Sequence, residues 1–277
     1  MSQVYDPRVC QLGEGPLWHP LRQQLFWFDI LGKRLLSRDG DRPLEWSFDE
    51  HVSAAGWIDE TRFLMASETS LSVFDLETGA RAHVCDLEAD NPVTRSNDGR
   101  ADPQGGFWIG TMGKKAEAFA GSIYRWYRGE LRQLYDKITV TNSICFAPDG
   151  RSAYFTDTWS GKIQRVALDA DGWPDGAPEV FVDLKAEGLN PDGSVVDAEG
   201  NLWNAQWGAF RIACYSAAGD LLRTVEFPAK QVSCPAFGGA DLGTLYATSA
   251  AVGVSGDADG QTFSVPTFFY CKDSVYK

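Results

Sequence analysis

The chain has 277 residues, 44% of them apolar, and a formal charge of −13 from 38 acidic and 25 basic side chains. That balance repels phosphate backbones and anionic lipid, so neither nucleic acid nor a membrane is expected as a partner. The six cysteines (Cys10, Cys85, Cys145, Cys214, Cys234, Cys271) stand singly and read as buried thiols, and His19, His51 and His83 have no HxH or HExxH spacing. A histidine-based zinc site and a Ser-His-Asp triad are therefore unsupported.

The N-terminus, MSQVYDPRV, lacks the basic and then apolar build of a secretory signal, and no apolar run reaches membrane-spanning length. A cytoplasmic protein is expected. Within this segment, QVYDPRV from Gln3 has the makings of a strand.

Six segments of one layout follow, each opening on a polar residue. The first starts at Glu14, turns at His19-Pro20 and continues as LFWFDI from Leu25, GKRLLSRD from Gly32 and PLEWSF from Pro43. The second starts at Ser53, turns at Asp59-Glu60 and runs through RFLMAS, SLSVFDLETG and ARAHVCDL. The third starts at Asn97, turns at Pro103-Gln104-Gly105, and gives FWIGTM, GSIYRWYRG and LRQLYDKI. The fourth starts at Asn142, turns at Pro148-Asp149-Gly150, and gives AYFTDT, GKIQRVALD and APEVFVDL. The fifth starts at Asp192, turns at Ala198-Glu199-Gly200, and gives LWNAQW, FRIACYSAAG and LLRTVEFP. The sixth starts at Ser233, turns at Gly239-Ala240-Asp241, and gives LYATSA and a third strand near Gln261, but no clear fourth.

Starts separated by 39, 44, 45, 50 and 41 residues, with four strands per unit, indicate propeller blades. The expected fold is all-β: a six-bladed β-propeller of four antiparallel strands per blade. The N-terminal strand is expected to complete the last sheet and remove its open edge, with FFYCKDSVYK at the C-terminus as the competitor for that place. No linker or low-complexity tract separates the repeats, so residues 1–277 are expected to form a single domain, acting as a monomer.

The innermost strand of each blade lines a central channel, so residues of equal register form a ring at one mouth. Glu14, Asn97, Asn142 and Asp192 then face a common point. Two carboxylates buried together call for positive charge between them, and two carboxylates with an amide suit a hard divalent cation. Taken singly, Asp98-Gly99 and Asp192-Gly193 also read as ordinary turn pairs. Ser53 and Ser233, in the same register, read as channel-lining hydroxyls, since no base is available to activate them.

EGPLWHP from Glu14, RSNDGRADPQGGFWIGTM from Arg95, TNSICFAPDGRSAYFTDT from Thr141, NPDGSVVDAEGNLW from Asn190 and SCPAFGGADLGTLYATSA from Ser233 resemble the senescence-marker-protein/gluconolactonase family, which includes regucalcin and bacterial sugar-lactone lactonases. The resemblance implies a propeller that hydrolyses aldonolactones with one divalent cation, and the expected ion is Ca²⁺ first, with Mg²⁺, Mn²⁺, Zn²⁺ or Fe²⁺ as the other candidates. It implies Glu14, Asn142 and Asp192 as ligands, and Arg95 and Asn97 as substrate contacts. Where regucalcin-like members carry an acidic contact after the GTM motif, this chain has Lys114-Lys115 and then Glu117. Lys114 and Lys115 read most simply as solvated loop residues; the sharper reading has one of them, taken as Lys115, meet a carboxylate on the substrate, as in an aldarolactone.

Asp192 is the expected general base and later proton donor to the ring oxygen. Asp98 is its rival, ranked lower because strand alternation would turn it away from Asn97's side. Two other functions fit the same fold: a paraoxonase- or phosphotriesterase-like esterase, and a non-catalytic calcium-binding propeller.

Overall fold

The computed structural model describes residues 2–267, and twenty-four strands in that span form six four-stranded antiparallel sheets. β1 (Gln3–Asp6) precedes the first blade, which is built from β2 (Gly13–His19), β3 (Gln24–Asp29), β4 (Arg34–Asp39) and β5 (Arg42–Ser47). The second blade holds β6 (Val52–Trp57), β7 (Arg62–Ser67), β8 (Ser70–Asp75) and β9 (Arg81–Asp86). The third holds β10 (Thr94–Ala101), β11 (Phe107–Gly113), β12 (Gly121–Tyr127) and β13 (Glu130–Ile138). The fourth holds β14 (Thr141–Phe146), β15 (Ser152–Asp157), β16 (Lys162–Ala167) and β17 (Glu179–Asp183). The fifth holds β18 (Asn190–Val196), β19 (Leu202–Trp207), β20 (Arg211–Tyr215) and β21 (Leu221–Glu226). The sixth is β22 (Gln231–Gly238), β23 (Thr244–Ala250) and β24 (Thr262–Pro266), with β1 as its fourth strand.

Burial grades outward across each sheet, as the composition of the strands dictates. β3 (QLFWFD) and β14 (TNSICF) are buried at every position, because they are covered on both faces by neighbouring blades. The outermost strands, such as β5 (RPLEWS) and β21 (LLRTVE), meet water and carry charge. Between adjacent sheets lie six apolar clusters, one per interface. Phe28, Phe63 and Phe74 join the first two blades, Trp108 and Phe146 the third and fourth, and Trp203, Phe237 and Phe263 the last two. At the hairpin tips, Gly40 and Gly219 take φ of 58° and 90°, where a β-carbon would be strained.

Closure follows the expected route. β1 pairs antiparallel with β24, Gln3 opposite Ser264 and Val4 opposite Phe263. The competing FFYCKDSVYK segment lies outside the described residues. Arg8 locks the closing strand in place: it forms an ion pair with Asp6 at 2.9 Å and donates to the carbonyls of Leu44 and Ser37 in the first blade. Cys10, Cys145, Cys214 and Cys234 are buried and Cys85 is half-buried, all as free thiols, while Cys271 lies outside the described residues. Among the described residues no helix is long and apolar enough to cross a membrane.

Candidate active site

Each of the six innermost strands breaks its pairing register at the same level. The breaks fall between Glu14 and Leu17, Val52 and Ala54, Ser96 and Gly99, Asn142 and Cys145, Pro191 and Ser194, and Val232 and Pro235. These are β-bulges, which bend a strand and re-aim its side chains. Ser53, Asn97, Asp192 and Ser233 lie within the extra-residue step, and Glu14 and Asn142 immediately before it. The innermost strands begin, and the second strands end, at this mouth, as the pairing of Glu14 with Phe28 requires.

The bulges bring three acids into one buried neighbourhood: Glu14, Asp98 and Asp192 are 5%, 3% and 4% exposed. The carboxyls of Glu14 and Asp192 lie close enough for one, when protonated, to donate to the other. Burial first, and then the charge of Asp98, pushes Glu14 up to about 8, although the Gly15 N–H at 3.1 Å works against this. Burial and the charges of Glu14 and Asp98 hold Asp192 well above the ordinary carboxylate range. Burial raises Asp98 too, opposed by Arg100 and by the Ile144 N–H that donates to Asp98 Oδ2 at 2.7 Å.

Arg95 supplies the nearby positive charge. Its guanidinium is brought down to about 10 by burial, against the pull of Glu14 and Glu68. Nη1 donates to Ser96 O and Asn97 Oδ1, both at 2.8 Å, and the buried Nε has no protein partner. Asn97 Nδ2 donates to Thr141 O at 2.8 Å and Asn142 Oδ1 at 3.2 Å. Both amide protons of Asn97 therefore hold the fourth blade, and only a lone pair on Oδ1 is left for another partner.

Glu14, Arg95, Asn97, Asn142 and Asp192 thus share one mouth. Lys115 is exposed on the loop after β11, with its amide donating to Glu117 Oε2 at 3.0 Å. Lys114 turns instead to Glu68 and to Pro92 O. Ser53 donates to Ser96 Oγ, and Ser233 to Gly13 O, so these hydroxyls tie neighbouring blades together. His51 is bonded to Glu68 at 2.6 Å and His19 to Asp59 O. Trp108 and Trp203 are packed between blades at 0% and 3% exposure, whereas Trp159, on the turn after β15, is 70% exposed.

Two features of the site escape strand alternation. Asp98 is buried alongside Asn97 because both fall inside the bulge opposite Gly110, where the two-residue period is interrupted. Glu68, whose charge reaches Arg95, comes from the β7–β8 turn, and no sequence signal links the two.

The donors present fit a hard cation. A buried carboxyl pair in contact needs a proton or a cation between its members. Glu14, Asn142 and Asp192 offer oxygen alone, and the amide oxygen of Asn142 keeps a second lone pair. Among the described residues no three His, Cys, Asp or Glu side chains cluster at ligating spacing, so the candidate set depends on the amide. A cavity of about 130 Å³ is lined by Gly15 and Gly99, the neighbours of Glu14 and Asp98, and by Pro16, Trp18, Trp57 and Phe237.

A model of the SMP-30/Gluconolactonase/LRE-like region matches residues 12–251. A calcium-binding protein, regucalcin, from Agrobacterium tumefaciens superposes with a TM-score of 0.93 at 40% identity, over 96% of this chain and 93% of its own. An L-arabinolactonase of Azospirillum brasilense is 36% identical over 89% of this chain and 83% of its own. A 6-deoxy-6-sulfogluconolactonase of Pseudomonas putida is 32% identical over 89% and 85%. A family match across most of the chain, with such identities over most of both partners, is decisive: the chain belongs to the SMP-30/gluconolactonase/LRE-like family.

Proposed function

We propose that this protein hydrolyses sugar-acid lactones with the aid of one divalent cation, Ca²⁺ foremost, held by Glu14, Asn142 and Asp192. The observation that carries the reading is the buried, mutually interacting acid pair Glu14 and Asp192 beside Arg95. Such a pair is unfavourable in a scaffold and useful in a hydrolase. The names of relatives more than 30% identical, an arabinolactonase and a sulfogluconolactonase, support the substrate class.

A bound cation supplies Lewis-acid charge that polarises the lactone carbonyl and steadies the developing oxyanion. Asp192 takes a proton from the attacking water as its oxygen bonds to the carbonyl carbon. As the bond from that carbon to the ring oxygen breaks, Asp192 returns the proton to the ring oxygen and frees the hydroxy acid. Arg95, through Nε and Nη2, and Asn97, through its remaining Oδ1 lone pair, hold the sugar hydroxyls and fix the ring for attack. Lys115 acts at the rim on lactones that carry a second carboxylate.

The test is a pH-drop assay over aldono- and aldarolactones, repeated after chelation and cation add-back. Turnover that disappears with chelator and returns with a particular ion is expected. Turnover indifferent to chelation refutes the cation's role. The calcium-binding description of the Agrobacterium neighbour favours a second, non-catalytic reading, which requires cation binding with no turnover of any lactone.

A further inference from the structure

An amide can ligate a cation through its oxygen and not through its nitrogen, so the orientation of Asn142 decides whether the proposed donor set exists. A chain of hydrogen bonds fixes that orientation from both ends. At one end, Arg95 Nη1 can only donate, so the atom of Asn97 facing it at 2.8 Å is Oδ1. Asn97 Nδ2 is thereby turned to Asn142, where it meets Oδ1 at 3.2 Å. At the other end, the carbonyl of Pro191 can only accept, and Thr158 Oγ1 lies 2.8 Å from it. That bond takes the single proton of the Thr158 hydroxyl, so Oγ1 can only accept from Asn142, whose Nδ2 is 2.9 Å away. A flipped Asn142 would set donor against donor at Asn97 and acceptor against acceptor at Thr158 or Pro191.

We infer that Thr158 is a positioning residue: through its bond to Pro191 it turns the amide of Asn142 so that Oδ1 is presented on the Asn97 side of the ring. Thr158 is well suited to this. It opens a single 3-10 turn, Thr158–Ser160, and its own N–H is held by Val140 O at 3.0 Å. Asp157, which caps that turn through Trp159 N, also accepts from the amides of Thr139 and Val140, so the turn and the entry to β14 are one rigid unit. The same hydroxyl joins the fourth blade to the residue before Asp192, and so relates the amide donor to the carboxylate donor across two sheets. Partners that orient a ligand in this way usually account for about 10–100-fold in metal affinity.

The inference rests on the proposed cation site, and the experiment separates the two. Binding of Mn²⁺ and of Ca²⁺ to the full chain is measured calorimetrically for the native protein, Thr158→Val, Thr158→Ser, Asn142→Ala, Asn142→Asp and the Asn142→Asp/Thr158→Val double variant. Thr158→Val is expected to weaken binding by about 10–100-fold, and Thr158→Ser, which keeps the hydroxyl, by about twofold at most. A carboxylate presents oxygen whichever way it is turned, so in the Asn142→Asp background the same Val substitution is expected to change affinity by less than about threefold. Equal losses in both backgrounds, or no loss in either, overturn the positioning role. Unchanged affinity in Asn142→Ala overturns the cation site itself. Should Thr158→Val not fold, Thr158→Ala carries the same comparison, with melting in chelator as the check on folding.

Discussion

With the proposed cation kept off by chelator, the protein is expected to lose stability as pH rises from about 4.5 to about 8. Glu14 titrates near 4.5 as an ordinary glutamate and near 8 in the folded, cation-free site. Its folded value is raised, so the contribution to stability is fully present below 4.5 and is lost as pH rises through about 8. In that window the native state keeps a proton that the unfolded chain has released. At about 1.4 kcal/mol per pH unit the loss approaches about 5 kcal/mol. For a chain of this length that is a fall of about 10 °C in melting temperature. Asp192 shifts in the same direction for the same reason, burial beside like charge. Differential scanning calorimetry in EDTA between pH 5 and pH 8.5 reads the slope directly. Saturating Ca²⁺ or Mn²⁺ should flatten it, because a cation replaces the proton between the carboxyls and stabilises the native state by mass action. A melting temperature that is flat or rising in EDTA, or a slope identical with and without cation, refutes the reasoning.

Asp192→Asn keeps an oxygen for the cation but cannot take a proton, so kcat should fall by about 10²–10⁴-fold while Mn²⁺ still binds by calorimetry. Full turnover with normal binding would move the base elsewhere, to Asp98 first. Lys115→Ala should lower kcat/KM for a glucarolactone by about tenfold relative to gluconolactone, an effect that fades with added salt because Lys115 is exposed. Equal change for the two lactones would remove Lys115 from substrate recognition. Away from the ring, Arg125 and Asp102 form a fully buried ion pair at 2.6 Å, with the guanidinium 4.3 Å from the Tyr127 ring and 4.4 Å from that of Trp173. Asp102→Ala leaves that charge unpaired and should destabilise by about 3–5 kcal/mol in urea denaturation. A loss below about 1 kcal/mol would show that the aromatic faces alone hold the arginine.

The blades were legible because they are local. A polar start, a turn a few residues on and an apolar strand after it recur in each unit, and the missing sixth-blade strand left one candidate at each terminus. Pairing of β1 with β24 resolves that choice for the described residues. The grouping of Glu14, Asn97, Asn142 and Asp192 was legible for the same reason, since equal register in a closed ring means a common mouth.

What alternation could not supply was the bulge. An extra residue changes which side chains share a face without changing the hydrophobic pattern by which strands are recognised. Asp98 was therefore assigned to the far side of its strand, yet it lies buried within reach of the charges on Glu14 and Asp192. The Ile144 amide occupies its Oδ2 while Oδ1 is buried with no partner, so the choice of base between Asp98 and Asp192 rests with the Asp192→Asn variant. The orienting role inferred for Thr158 is equally invisible along the chain. It depends on a hydroxyl with one proton standing between an amide 16 residues before it and a carbonyl 33 residues after it. Repetition thus fixes where the ring stands, while bulges and between-blade hydrogen bonds fix which atoms it presents. Because the second set is not periodic, it is free to differ between proteins that share the first, and it is where differences in cation and lactone preference within this family should be sought.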